Sequence, residues 1–252
     1  MKRVLGICLV ALLITVAFQS RAEAVPTLQL LICQGTPPGP TCALFAPSPT
    51  GSTSTNAPVV VGDYMITRAD GASTEISVLG QSATTTINVQ RLPDTTNPTP
   101  LDVWLSAIGY DLPNGTQLSL DTSLGATRAG AIGGPTATIS YLSWIISPSA
   151  GGFPPPGSSQ STDIFCTPPS TGAATSCSAD VAASAIVPDL GTYSLTSRTR
   201  FDIALGDTMS LYGSTGTSTV TAQQIVPEPA AMILLGAGLI ALAGSVRRRM
   251  RT

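Results

Sequence analysis

The sequence predicts an all-β chain: an antiparallel β-sandwich of jelly-roll-like build, framed by an N-terminal signal peptide and one C-terminal transmembrane helix. Three observations point there. Apolar and polar residues alternate with period two in several segments, the mark of half-buried strands. Serine and threonine supply 56 of the positions between 25 and 226; threonine suits strands and serine suits turns. No sustained i, i+3, i+4, i+7 apolar pattern occurs outside the two ends.

The elements follow in chain order. Lys2 and Arg3 form a basic n-region, residues 4–18 an apolar h-region, and Ala22-Glu23-Ala24 an A-x-A cleavage site. Residues 1–24 therefore read as a signal peptide with cleavage after Ala24. As a helix, fifteen residues would reach only about 22 Å, short of the ~30 Å hydrocarbon core. The exported passenger, residues 25–226, carries strand candidates at 59–67, 74–79, 86–90, 101–106, 117–120, 138–146, 193–205, 211–212 and 218–225. The clearest is 193–205. There Tyr193, Leu195, Phe201, Ile203 and Leu205 share one face and Thr196, Arg198, Arg200 and Asp202 the other. Residues 138–146 are apolar on both faces after Ser140, as in a strand covered on both sides. Two stretches rich in Pro, Gly, Ser and Thr, 34–58 and 147–175, read as long loops.

Composition narrows the chemistry. The chain has no histidine and a single lysine, Lys2. His-based triads, His metal sites and Schiff-base lysines are thereby removed. The passenger holds five arginines against eleven aspartates and one glutamate, which argues against nucleic acid, a ligand that needs a basic surface. The dispersed carboxylates, with Asp63 near Asp70 and Asp202 near Asp207 in sequence, suit turns and solvated faces better than a catalytic pair. Asp111-Leu112-Pro113-Asn114-Gly115 offers oxygen donors of the kind calcium takes, but the full calcium-loop pattern is absent; Asn114-Gly115 is first a hairpin turn signal. Arg198 and Arg200 could meet an anionic polymer, but a solvated strand face explains them better. No cofactor, metal or catalytic residue is expected.

Of five cysteines, Cys8 falls in the signal peptide, leaving Cys33, Cys42, Cys166 and Cys177. An even number in an exported chain suggests disulfides, and four allow three connectivities. Their spacing favours local pairs, Cys33 with Cys42 and Cys166 with Cys177, each worth about 2–3 kcal/mol by loop closure. Zinc is disfavoured, since neither pair has C-x₂₋₄-C spacing and histidine is lacking.

The C-terminus is a composite. Pro227-Glu228-Pro229 is a rigid extended tripeptide that cannot join a helix. Residues 230–246 follow without a charge, about 25 Å of helix, enough for a short membrane span. Arg247, Arg248, Arg249 and Arg251 close the segment and, by the positive-inside rule, stay in the cytoplasm with the passenger on the other side. Gly236-x-Gly238-x-x-Ala241 fits a dinucleotide fingerprint, but lacks the preceding strand and the following acid that motif needs. In order and spacing, residues 226–251 resemble the PEP-CTERM sorting signal of exopolysaccharide-producing Gram-negative bacteria. The resemblance implies processing by an exosortase, a membrane cysteine protease that cuts near the motif and releases or transfers the passenger. It implies an inner-membrane-tethered precursor with its passenger in the periplasm, then a cell-surface or extracellular product.

The function expected is a structural or adhesive role at the cell surface or in the extracellular matrix, without catalysis and with exopolysaccharide as a candidate partner. A secreted carbohydrate-binding module is the alternative. Its discriminator would be exposed aromatics on one face, for which Trp104 and Trp144 are the two tryptophans at hand. A carboxylate-dependent secreted hydrolase is the remaining alternative, and would need two carboxyl groups roughly 5–10 Å apart in a cleft.

Overall fold

The structure is a computed structural model. It describes residues 26–35, 41–77, 80–93, 99–111, 117–146, 153, 159–160, 162–181, 186–188 and 192–223. Residues 1–24, expected to be a signal peptide, the Pro-Glu-Pro tripeptide, the 230–246 segment and the arginine cluster lie outside the described residues.

Among the described residues fifteen strands follow one another: β1 (Thr27–Gln34), β2 (Cys42–Leu44), β3 (Ser52–Ser54), β4 (Val59–Val61), β5 (Tyr64–Ser77), β6 (Gly80–Arg91), β7 (Leu101–Asp111), β8 (Gln117–Ala129), β9 (Ala137–Ile146), β10 (Ser159–Gln160), β11 (Ile164–Cys166), β12 (Ala174–Val181), β13 (Ile186–Pro188), β14 (Thr192–Ile203) and β15 (Leu211–Gln223). No helix occurs among the described residues. All pairings are antiparallel. A seven-stranded sheet runs β10-β9-β14-β7-β1-β2, with β11 also on β9. An eight-stranded sheet runs β12-β8-β15-β6-β5-β3, with β13 on β8 and β4 on β5. From β6 to β9 the chain changes sheet at every step, so each layer is completed only by strands distant in sequence.

The alternation read in the sequence is the alternation of the two faces. On β14, Tyr193, Leu195, Phe201 and Ile203 point inward and are buried, while Arg198 and Arg200 point outward. Leu205 departs from that pattern: it lies beyond the strand, in a turn, and is half exposed. β9 is buried on both faces, as its sequence indicates. Two corrections concern lengths. The stretches 34–58 and 147–175 are not loops throughout, because they contain β2, β3, β10, β11 and the start of β12. Two- and three-residue edge strands are too short to show a period. Conversely, the separate candidates at 211–212 and 218–225 are one strand, β15, whose middle is Gly, Ser and Thr with no apolar signal.

Both expected disulfides form. Cys33–Cys42 joins neighbouring strands at a register pair, with Cα atoms 4.2 Å apart. Cys166–Cys177, with Cα atoms 5.9 Å apart, does something the sequence does not announce: it links β11 in one sheet to β12 in the other.

The sheets meet by filling notches. Leu105 on β7 packs where a Cβ on Gly71 of β5 would stand. The Tyr141 ring on β9 occupies the place a Cβ on Gly216 of β15 would take. Its hydroxyl then makes a 2.7 Å hydrogen bond with Ser218, which is also paired with Ser143. Burial pushes the Tyr141 phenol up from its ordinary pKa, so it stays a neutral hydrogen-bonding group. At one pole the fully buried Arg91 on β6 donates to Ile203 O of β14 at 2.6 Å, stacks over Tyr64 and faces Asp63 at 3.6 Å. On the outer face of the seven-stranded sheet, Arg200 grips the buried Asp102 of β7 with two 2.7 Å bonds, a bidentate fork across adjacent strands.

Two outcomes follow from this packing. Gly216→Val should lower stability by about 2–3 kcal/mol through overpacking against Tyr141, read as a lower denaturant midpoint. Gly125→Ala, whose Cβ would meet only Thr215 O at 4.0 Å, should leave that midpoint nearly unchanged. Arg200→Met would leave the Asp102 carboxylate, 1% exposed, without its fork. Because Arg200 itself is 35% exposed, solvent tempers the loss to about 2 kcal/mol, which calorimetry would register as a melting temperature lower by roughly 4–8 °C.

Candidate functional site

A sandwich exposes two outer faces, and here they differ in kind. On the seven-stranded sheet, register pairing sets Leu31, Trp104, Arg198 and Leu142 side by side across β1, β7, β14 and β9. The next outward positions add Trp144 beside Thr196 and Asp102 beside Arg200. Trp104 and Trp144 stack with ring centroids 5.3 Å apart, and Phe153 meets Trp104 edge-on at 6.3 Å. Arg198 lies 5.8 Å and 5.9 Å from the two indole centroids, a cation–π arrangement. Both tryptophans are buried, at 3% and 8% exposure, in a cluster with Leu31, Cys33, Leu142 and Ile146. They share one face, as a sugar platform requires, but both indoles are closed by packing; the open ring on this face is Phe165 of β11, 60% exposed beside Ser140.

Charge on this face is internally matched. Arg198 approaches Asp163 at 3.7 Å. Burial raises the Asp163 carboxyl above its ordinary value, while the guanidinium groups of Arg198 and Arg200 pull it back. Burial, together with repulsion from Arg200, lowers Arg198. The Asp102 hydrogen bonds raise Arg200. Arg198 and Arg200 therefore serve this sheet's own tryptophans and carboxylates rather than standing as a free basic patch.

The carboxylates singled out by sequence proximity are taken up separately. Asp63 faces Arg91 at the β4–β5 turn, and Asp70 pairs with Arg68 farther along β5. Asp207 is buried and accepts the Tyr212 hydroxyl at 2.5 Å; burial first, and then this hydrogen bond, pushes that phenol up to about 12. Asp202 is exposed on the outer face of β14. Neither pair converges on a cleft. Residues 112–116, with the candidate calcium donors Asn114 and Gly115, lie outside the described residues. Among the described residues no group of three or more His, Cys, Asp or Glu could hold a metal ion.

The outer face of the eight-stranded sheet is open and hydroxyl-rich. Register pairing builds rows across it: Ser178, Gly125, Thr215, Thr86, Asp70 and Ser54 in one, and Asp180, Ser123, Thr217, Thr84, Ala72 and Ser52 in the next. A groove of about 870 Å³ lies over β5 and β6, walled by β3 and by the chain from Phe45 to Ser48. Two smaller grooves, about 260 and 340 Å³, continue over β15 and β8 to β12. The first and second share Thr86; the second and third share Asn88, Thr127, Ser176 and Gly213. The sequence does not show the groove, because its walls come from the 34–58 stretch that reads as a loop; of the run Thr84-Thr85-Thr86, the first and third face the groove and Thr85 is buried inward.

No curated protein matches the sequence. Among solved structures the chain is similar to a carbohydrate-binding module that recognises mannan, at 8% identity over 56% of this chain and 75% of that one, with a TM-score of 0.32. It is also similar to the N-terminal cellulose-binding domain of Cellulomonas fimi β-1,4-glucanase C, at 11% identity over 55% and 78% of the two chains, TM-score 0.26. A third is the K3 adhesin domain of Lys-gingipain from Porphyromonas gingivalis, at 13% identity over 55% and 73%, TM-score 0.29. Likenesses at these scores say nothing of ligand or partner. The C-terminus is different: residues 226–249 match the family model of the PEP-CTERM protein-sorting motif, so the chain carries that sorting signal shortly after β15, the last strand among the described residues.

Proposed function

We propose that this is an exported, non-catalytic surface or extracellular-matrix protein of adhesive role, delivered by exosortase processing of its C-terminal signal. The observation that carries the reading is the sorting motif at 226–249, which begins just after β15 ends at Gln223. Topology supports it. The first strand starts at Thr27, opposite Ile108 near the end of β7, and the last strand ends at Gln223, opposite Gln117 at the start of β8. Both chain ends of the sandwich therefore leave from the same pole, and a tether there holds the opposite pole and both sheet faces away from the membrane. The separate placement of Asp63, Asp70, Asp202 and Asp207 favours this over a hydrolase.

The tail works by division of labour. An apolar segment favours the bilayer, and the arginines resist crossing it, so translocation halts. Two prolines keep the tripeptide extended and accessible, the form a protease substrate needs. Replacing both Pro227 and Glu228 with alanine should leave insertion intact and abolish processing. Cell fractionation with intact-mass measurement would then find uncut chain in the inner membrane. A doubly substituted chain that is trimmed and exported like the wild type would reduce the tripeptide to a spacer and overturn the reading.

A further inference from the structure

We propose that the grooved outer face of the eight-stranded sheet binds a strand of neutral polysaccharide, lying across the strands from β3 toward β12. The proposal rests on the adhesive reading above and gives it a site and a ligand class.

The shape comes first. The three grooves adjoin at shared wall residues and follow one another over six strands. Five inter-strand gaps of about 4.8 Å make that track roughly 24 Å long, suited to several sugar rings rather than one small molecule. The floor is tightly built. A Cβ on Gly213 of β15 would come within 2.6 Å of Thr127 Oγ1 and 3.0 Å of Asn88 Oδ1, so glycine there lets these two polar side chains close over the strand where the second and third grooves meet.

Lining chemistry selects the ligand. Thr84, Thr86, Asn88, Thr127 and Ser176 present hydroxyl and amide groups, each both donor and acceptor, which matches the hydroxyls of a sugar. Phe45, on the wall of the largest groove, offers an aromatic surface to the apolar face of a ring. In the first groove Arg68 and Asp70 pair with each other, the Arg128 that lines the third is buried at 1% exposure, and the passenger as a whole is acidic. An anionic polymer would meet net repulsion; a neutral one would not. Recognition of an extended peptide by strand addition needs an unpaired sheet edge. This track instead crosses interior strands whose backbones are already paired on both sides.

The test is native gel electrophoresis of the full-length chain, in detergent, through gels carrying hydroxyethylcellulose, glucomannan, dextran or alginate. Retardation by at least one of the three neutral polymers, with none by alginate, is expected. Thr86→Trp would fill the junction of the first two grooves, and Asn88→Ala would remove an amide from the track without adding bulk. Each should weaken the retarding interaction by about tenfold, the equivalent of one or two lost hydrogen bonds. Thr138→Trp, on the outer face of the other sheet, should migrate as the wild type. Absence of retardation by all three neutral polymers, retardation by alginate as strong as by any of them, or wild-type behaviour of both groove variants would overturn the proposal. The sorting reading stands or falls separately: an unprocessed Pro227→Ala/Glu228→Ala chain keeps its groove, and a sugar-blind wild type can still be sorted.

Discussion

The fit between the two sheets is the constraint on which the rest of the molecule depends. A sandwich is stable when its inner faces interdigitate at close-packed density. Here that is achieved by placing large side chains of one sheet opposite missing side chains of the other: Leu105 over Gly71, Tyr141 over Gly216. A glycine inside a strand normally weakens it, costing entropy and contacts. At these two positions the cost is offset by burying a leucine and a tyrosine whose surroundings have no slack. The Tyr141–Ser218–Ser143 hydroxyl group then satisfies polar atoms that would otherwise be stranded between the layers.

Once the inner faces are locked, the outer faces are fixed by parity, since a one-residue slip would exchange them. The two faces take opposite courses. That of the seven-stranded sheet is apolar enough, with Leu31, Trp104, Leu142, Trp144 and Ile146, to build a second small core, and its arginines are absorbed by that core and by Asp102 and Asp163. That of the eight-stranded sheet carries Thr, Ser and Asn with few charges. Short threonine and serine side chains stand up from the strands without covering them, which leaves relief across the sheet rather than a filled surface. A molecule with so little charge and so many hydroxyls is suited to partners recognised by hydrogen bonding and shape.

The disulfides reinforce this division at little cost in sequence. Cys33–Cys42 fastens an edge strand of three residues that could not hold itself by alternation. Cys166–Cys177 closes a short loop in sequence yet spans the two layers, because β11 and β12 lie on opposite sheets. Together with Arg91, which bonds from β6 to the carbonyl of Ile203 on β14, it ties the two layers to each other at the margin of the main core.

The sequence by itself determined the class of the fold, the inward and outward residues of strands such as β14, the cysteine pairs and the sorting signal at the C-terminus. Each of these is written in local order: a period of two, a spacing of nine or eleven residues, a tripeptide before an apolar run. It left illegible whatever depends on which strands become neighbours. Trp104 and Trp144 are forty residues apart and stack because β14 sets β7 and β9 two places apart in one sheet. Thr84 and Thr217, separated by 133 residues, stand side by side on the open face. The paired carboxylates that looked close in sequence are parted by a turn or by the rise of a strand. Alternation tells which residues share a face, but not which faces meet or which strands lie adjacent. Those were decided by the packing of Leu105 and Tyr141 into their glycine notches, which is a property of the two sheets together and of neither strand alone.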